Sequence, residues 1–169
     1  FTLTDDAVKT YDTNTKMNPP LRTRKDVDAI IEGLKDGTID CIASDHAPHS
    51  VEEKEMEFEY APNGIVGLET SVGLAFTELL HKKLLSLDEL ILKYAINPRK
   101  VLNLDIPMIQ KGSPANLTIL DADIVWTVDK TKFLSKSRNT PFHKKLLTGK
   151  AIGVINNCKM FFDGKFTSI

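Results

Sequence analysis

Apolar residues first recur at helical spacing at Val27, Ile30, Ile31 and Leu34, so the pattern predicts a helix over residues 23–36. Thr23 with Asp26 has the form of a capping box, with Asp where Glu or Gln is usual, and Gly37 is the expected stop. The chain then turns apolar at Cys41, Ile42 and Ala43, which predicts a buried strand over residues 40–44. A longer stripe of Leu68, Val72, Ala75, Phe76, Leu79 and Leu80 predicts an amphipathic helix over residues 68–84. Ser86 with Glu89 is a second capping box, opening a helix that turns Leu90, Ile91 and Tyr94 inward. Asn97-Pro98 reads as an N-cap and first helical residue of a short helix ending near Leu104.

The pattern changes near Asp105. Pro107, Gly112 and Pro114 punctuate the chain, and residues 116–120, 124–128, 151–156 and 159–162 then read as strands, with Asn156-Asn157 and Asp163-Gly164 as turns. Residues 130–148 are basic and irregular and predict a loop. The organisation expected is an α/β part over 1–105 and a small β part over 106–169. Residues 1–22 are polar. Thr4-Asp5-Asp6 caps a short helical stretch through Tyr11, and Asn18-Pro19-Pro20-Leu21-Arg22 is extended because proline restricts itself and its predecessor. The five glutamates of residues 50–60 suit either a solvated loop or a mobile lid. Residues 61–67 form a tight turn whose Gly64 and Gly67 let backbone N–H groups approach a ligand.

Composition narrows the classes. A formal net charge of −1 provides no field for nucleic acid or a membrane surface, and the lysine doublets at 82–83 and 144–145 read as solvated faces. No apolar run reaches transmembrane length, and no signal-peptide pattern is present. Cys41 and Cys158 lie far apart in apolar contexts, which predicts buried free thiols in a reducing, cytoplasmic compartment. The start at Phe1 rather than Met suits a processed product or a fragment.

Candidate chemistry gathers at Asp45-His46-Ala47-Pro48-His49, directly after the predicted strand. An apolar run ending in a carboxylate and two imidazoles is how a barrel or open α/β sheet delivers ligands to its C-terminal edge. Metal-assisted hydrolysis is the first reaction class such a cluster suggests, although one strand end does not make a whole site.

Asp45-His46-Ala47-Pro48-His49, with Asn18-Pro19-Pro20-Leu21-Arg22 upstream and Gly64-Ile65-Val66-Gly67-Leu68-Glu69 downstream, closely resembles the class I dihydroorotases of the amidohydrolase superfamily. Pro114-Ala115-Asn116-Leu117 and Asp121 resemble that superfamily's return into its small β domain. The resemblance covers nearly the whole chain but only the C-terminal portion of such an enzyme. It implies the C-terminal part of a (β/α)8 TIM-type barrel plus a small β-sandwich-like domain. It also implies one or two zinc ions and reversible cyclisation of N-carbamoyl-L-aspartate to L-dihydroorotate, in de novo pyrimidine (UMP) synthesis. Asp45 would be the last metal ligand and the catalytic base, taking a proton from water whose pKa zinc lowers to roughly 7 and passing it to the ring nitrogen. His49, Asn18 and the backbone of the Pro62 to Gly64 turn would bind substrate. His46 either orients a ligand from behind or is a plain buried imidazole. Asn18 has turn capping as its ordinary alternative, and Asp45 a helix cap or loop hydrogen bond.

By the same pattern the remaining metal ligands lie outside this chain, one of them just before Phe1, so the chain alone is expected to be inactive. Its partners would be the small-molecule substrate and the N-terminal part of the same protein, with a homodimer or aspartate transcarbamoylase also admitted. Arg22 reads as a structural or surface ion pair, and His81 and His143 as surface residues. Two other readings remain: a hydantoinase- or allantoinase-like cyclic amidohydrolase, and a non-catalytic dihydroorotase-like scaffold.

Overall fold

The structure is a computed structural model that describes residues 1–162 and 164–168. After short 3-10 helices at Asp5–Thr10 and Thr13–Thr15 comes helix α1, Arg24–Asp36. The Thr23 N–H donates to the Asp26 carboxylate at 3.1 Å, closing the expected capping box. Gly37 ends the helix at φ 87°, a left-handed conformation that suits glycine. Val27 and Leu34 are buried and Ile31 is half-buried, but Ile30 points outward, so the packed stripe is narrower than the periodicity suggests.

The strand expected over 40–44 is not formed. Residues 40–44 carry no sheet pairing, and the first sheet-like contact is a parallel bridge just beyond them, between His46 and Ile65. A strand exists only through pairing, and no neighbouring strand among the described residues supplies it. The segment hangs instead from the helix behind it. The Ile42 N–H donates to the Lys93 carbonyl at 3.0 Å, Lys93 Nζ to the Ile39 carbonyl at 2.6 Å, and Asn97 Nδ2 to the Asp40 carbonyl at 2.9 Å.

The helix expected over 68–84 begins later, as α3 (Ser71–Ala75), and widens into a π-helical turn at Phe76–Leu80. Leu68 lies in the preceding turn and is 64% exposed. After the short α2 (Val51–Lys54) and α3, the Ser86–Glu89 capping box opens α4 (Leu87–Ile91) as expected. A second π turn, Leu92–Ile96, joins α4 directly to α5 (Asn97–Val101). Asn97 is therefore an internal helical residue rather than an N-cap. Pro98 has no N–H to donate and its ring crowds the turn before it; the wider π turn just upstream accommodates it.

Four strands form one antiparallel meander in the order β1-β2-β3-β4: β1 Leu117–Thr127, β2 Leu146–Asn156, β3 Lys159–Phe162 and β4 Lys165–Ser168. β1 joins two strands that the sequence suggests are separate. The interruption between them is a shift in register, where the Asp121 carboxylate accepts the N–H groups of Asp123 and Ile124, each at 3.0 Å. β2 starts five residues before its expected position, and β4 has no counterpart in the expected pattern. Asn157 and Cys158 both take positive φ, 49° and 56°, which is the two-residue hairpin geometry that matches strand twist. Cys158 thus sits exposed at a hairpin tip and Cys41 is half-buried; both thiols are free, but neither is buried as the sequence suggests. Gly164 has the positive φ of a turn, 76°, while Asp163 lies outside the described residues. The expected sandwich-like unit is represented among the described residues by this single sheet.

Two buried clusters hold these layers together. Leu34, Ala75, Phe76, Leu79, Leu85 and Leu90 form one, with Leu120 and Ala122 of β1 against it. Val66, Leu74, Val128, Phe133, Phe142 and Leu147 form the other. α3 and its π turn serve both, and each cluster draws residues from both sides of position 105. Gly149 of β2, at φ 88°, lies directly on the Phe76 ring, where a Cβ would collide with it.

Candidate functional site

Residues 44–49 and 61–67 are two irregular segments laid side by side. The Ala47 N–H donates to the Ile65 carbonyl at 2.8 Å beside the His46–Ile65 bridge. The approach is close enough to demand glycine twice. At Gly64, φ is 99° and a Cβ would lie 2.6 Å from the Ala47 Cβ; at Gly67 a Cβ would run into the Ser44 hydroxyl.

The imidazoles are fixed by this packing. His46 Nδ1 accepts the Gly67 N–H at 3.1 Å, so in the neutral ring the proton sits on Nε2. His49 Nε2 lies 2.9 Å from the Asn63 carbonyl and donates to it when protonated there, while Nδ1 faces the Glu53 carboxylate at 3.8 Å. Glu53 also closes the α2 capping box by accepting the Ser50 N–H at 2.8 Å, the main reason its carboxyl is held below the ordinary glutamate value. Residues 50–60 therefore include one capped helical turn next to His49, not only open loop.

The structure brings His46, His49, Pro62 and Gly64 together. Asp45 adjoins them through the chain and is exposed, with no hydrogen bond or ion pair to the described residues. Asn18 is exposed, after the backbone segment whose Lys16 carbonyl accepts the Gly64 N–H at 2.9 Å, and a cis peptide links it to Pro19. Arg22 lies 3.8 Å from Asp26 on the surface. His81 is exposed and pairs with the Ala122 carbonyl, whereas His143 is half-buried and accepts the Lys130 N–H.

Among the described residues, no three His, Cys, Asp or Glu side chains come together as a metal-holding group. Asp45 offers one oxygen donor where zinc takes four ligands, so these residues do not by themselves fit a complete metal centre.

Three contributors had no motif to reveal them. Asn139, in the basic loop, is 6% exposed. Its Nδ2 donates to the Ala47 carbonyl at 2.9 Å and the Gly64 carbonyl at 3.3 Å, its Oδ1 accepts the His49 N–H at 3.3 Å, and its own carbonyl accepts the Val66 N–H at 3.0 Å. Lys54 is 7% exposed and donates to the carbonyls of Thr13, Pro62 and Gly64. Burial pushes its ammonium below the ordinary lysine value. Lys16 donates to the carbonyls of Glu59 and Ala61, both at 2.7 Å. Glu69 also anchors the basic loop, accepting the Ser135 N–H at 2.8 Å. Burial works to raise its carboxyl, but that bond, its own N–H and the nearby His46 hold it below the ordinary value.

The sequence pattern of the amidohydrolase family matches residues 4–158. The chain belongs to the amidohydrolase family. Among curated family members it is 56% identical over 142 residues to a dihydroorotase of Geobacter metallireducens, covering 84% of this chain and 33% of that protein. It is 51% identical over 163 residues to a dihydroorotase of Clostridioides difficile, covering 96% of this chain and 38% of that protein. Among solved structures, the L-hydantoinase of Arthrobacter aurescens superposes with a TM-score of 0.84 at 32% identity, over 98% of this chain and 37% of that one. This amidohydrolase chain thus spans about a third of the length of the curated relatives it matches. The α/β fold with its antiparallel sheet agrees with that family. No helix among the described residues is long and apolar enough to cross a membrane.

Proposed function

We propose that this chain is the C-terminal part of a dihydroorotase that interconverts N-carbamoyl-L-aspartate and L-dihydroorotate. In this reading residues 1–105 complete a (β/α)8 barrel, residues 106–169 belong to a small sandwich-like β domain, and the N-terminal part of the protein supplies the rest of both. The observation that carries the reading is the identity of about half to dihydroorotases along nearly the whole chain, against about a third to a hydantoinase.

The roles in this reading are those the family resemblance implies. The Asp45 carboxylate is exposed and bonds none of the described residues, which suits a proton carrier and metal ligand. Zinc, held mostly by residues outside this chain, would supply water activation at neutral pH. The Pro62 to Gly64 backbone, His49 and Asn18 would orient the substrate, and His46, locked by Gly67, would keep the loop between Asp45 and His49 in place.

Ring-opening assays of the full-length protein with dihydroorotate, hydantoin and allantoin test the reading. Turnover of dihydroorotate is expected. Turnover of hydantoin or allantoin alone would favour the hydantoinase-like alternative, which the fold similarity to L-hydantoinase supports. Because the described residues supply one metal ligand, purified residues 1–169 are expected to show negligible turnover and weak zinc affinity. Normal activity of that piece would overturn the assignment of the remaining ligands to another part of the protein.

A further inference from the structure

Four consecutive carbonyls in the turn beside the site each accept a side-chain donor. Ala61 takes Lys16 Nζ at 2.7 Å, Pro62 takes Lys54 Nζ at 2.9 Å, Asn63 takes His49 Nε2 at 2.9 Å, and Gly64 takes Lys54 Nζ and Asn139 Nδ2, both at 3.3 Å. The third Lys54 bond goes to the Thr13 carbonyl at 2.7 Å, and the Thr13 hydroxyl returns to the Lys54 carbonyl. Among the described residues neither Lys54 nor Lys16 has a carboxylate within ion-pair distance.

The Asp12 charge favours the Lys54 ammonium from beyond ion-pair distance, and a buried ammonium with no contacting carboxylate is costly unless its protons are well bonded. Here all three acceptors of the Lys54 ammonium are backbone carbonyls, two of them in this turn and one in the segment leading to Asn18. The turn's local backbone bonding sits at its entry, where the Ala61 N–H donates to the Glu57 carbonyl at 2.9 Å, while its tip carries the positive φ of Gly64. Charge-assisted bonds are roughly twice as strong as neutral ones. The cation therefore fixes where the 61–64 backbone lies relative to His49, a job a neutral side chain of the same length would not do.

We propose that Lys54 is a positioning residue: its buried ammonium, with Lys16 beside it, clamps the carbonyl face of the Pro62–Gly64 turn and so sets how the substrate ring is held. This rests on the dihydroorotase reading for the identity of the ring, but not for the clamp itself. The chemistry required is a cation with several donors, so the function is lost on neutralisation rather than on a change of volume.

The test uses the full-length protein with Lys54→Met, Lys16→Met and, as a control, Lys93→Met. Lys93 is equally buried and also bonds a carbonyl, that of Ile39, far from this turn in the chain. Lys54→Met is expected to speed amide exchange in residues 57–66 and to raise KM for dihydroorotate by about tenfold, with kcat lowered less, as for a displaced binding contact. Lys16→Met, a half-buried position, should show the same pattern more weakly and stands in if Lys54→Met does not fold. Lys93→Met, which loosens the 40–44 segment instead, should leave exchange over 57–66 unchanged. Unchanged exchange over 57–66, the same change in Lys93→Met, or faster exchange with KM unmoved would each overturn the proposal. If the unsubstituted protein turns over hydantoin but not dihydroorotate, the functional reading fails while the exchange comparison still decides the clamp.

Discussion

The β meander and the candidate site are held by opposite means. β1 to β4 pair in sequence order through backbone ladders, and β2 and β3 are joined by a two-residue hairpin at Asn157 and Cys158. Residues 44–67 have little regular structure. Their position depends on side chains reaching backbone groups across long stretches of chain: Lys54 to Thr13, Lys16 to Ala61, and Asn139 to Ala47, 92 residues away. Ladder hydrogen bonds tolerate most side chains, whereas each of these bonds depends on one. The sheet should therefore absorb substitution, and the site should lose its geometry one residue at a time.

The largest effect expected separates chemistry from support. In the full-length protein, Asp45→Asn should lower turnover by about 10²- to 10⁴-fold. Its melting temperature should hardly move, because the carboxylate is exposed and bonds none of the described residues. A large loss of stability instead would make Asp45 part of the scaffold. Gly149→Ala tests a point where the sheet does depend on a single residue. With a forced positive φ and a clash on Phe76, it should cost about 3 kcal/mol in denaturant unfolding. Asn139→Ala removes three side-chain bonds from a buried position and should cost about 2 kcal/mol. Exchange should then speed at Ala47 and Val66 while β2 to β4 stay protected.

A smaller, pH-dependent effect comes from Glu78. Burial works to raise its carboxyl, but Lys82 at 2.5 Å and Lys145 at 3.0 Å outweigh it and hold the group below the ordinary glutamate value. A carboxyl depressed in the folded state contributes stability above its unfolded pKa and loses it as pH falls through the folded one. Acid titration of stability should therefore be shallower in Glu78→Gln than in the parent. The smallest effect belongs to β4, where Phe166 is exposed and touches the Phe161 ring at 4.7 Å between centroids. Phe166→Thr should change stability by less than about 1 kcal/mol, and a larger loss would show that the meander is less self-sufficient than its ladders suggest.

Local chemistry was readable where it acts over a few residues. The Thr23 and Ser86 capping boxes, the Gly37 stop and the Lys159–Phe162 strand all follow from residue type and spacing. The 40–44 segment misled because an apolar run specifies burial and extension, while a strand also needs a partner. The residues on each side of the Asp121 interruption look like two strands because a register shift and a loop share the same polar signature. Asn139 lies in a stretch whose charges read as solvated loop, and Lys54 reads as one more surface lysine in a run of glutamates. Nothing in their neighbours along the chain announces what they bond.

The sequence by itself determined the Thr23 and Ser86 caps, the Gly37 stop and the family motifs at 18–22, 45–49 and 64–69, because each is encoded within a few adjacent residues. Only the tertiary structure decided the pairing of Ala47 with Ile65, the tautomer of His46 and the burial of the Lys54 ammonium against three carbonyls. These depend on which distant backbone groups fold into reach. A buried donor must satisfy its hydrogen bonds wherever the chain brings an acceptor, and spacing along the sequence does not specify that partner.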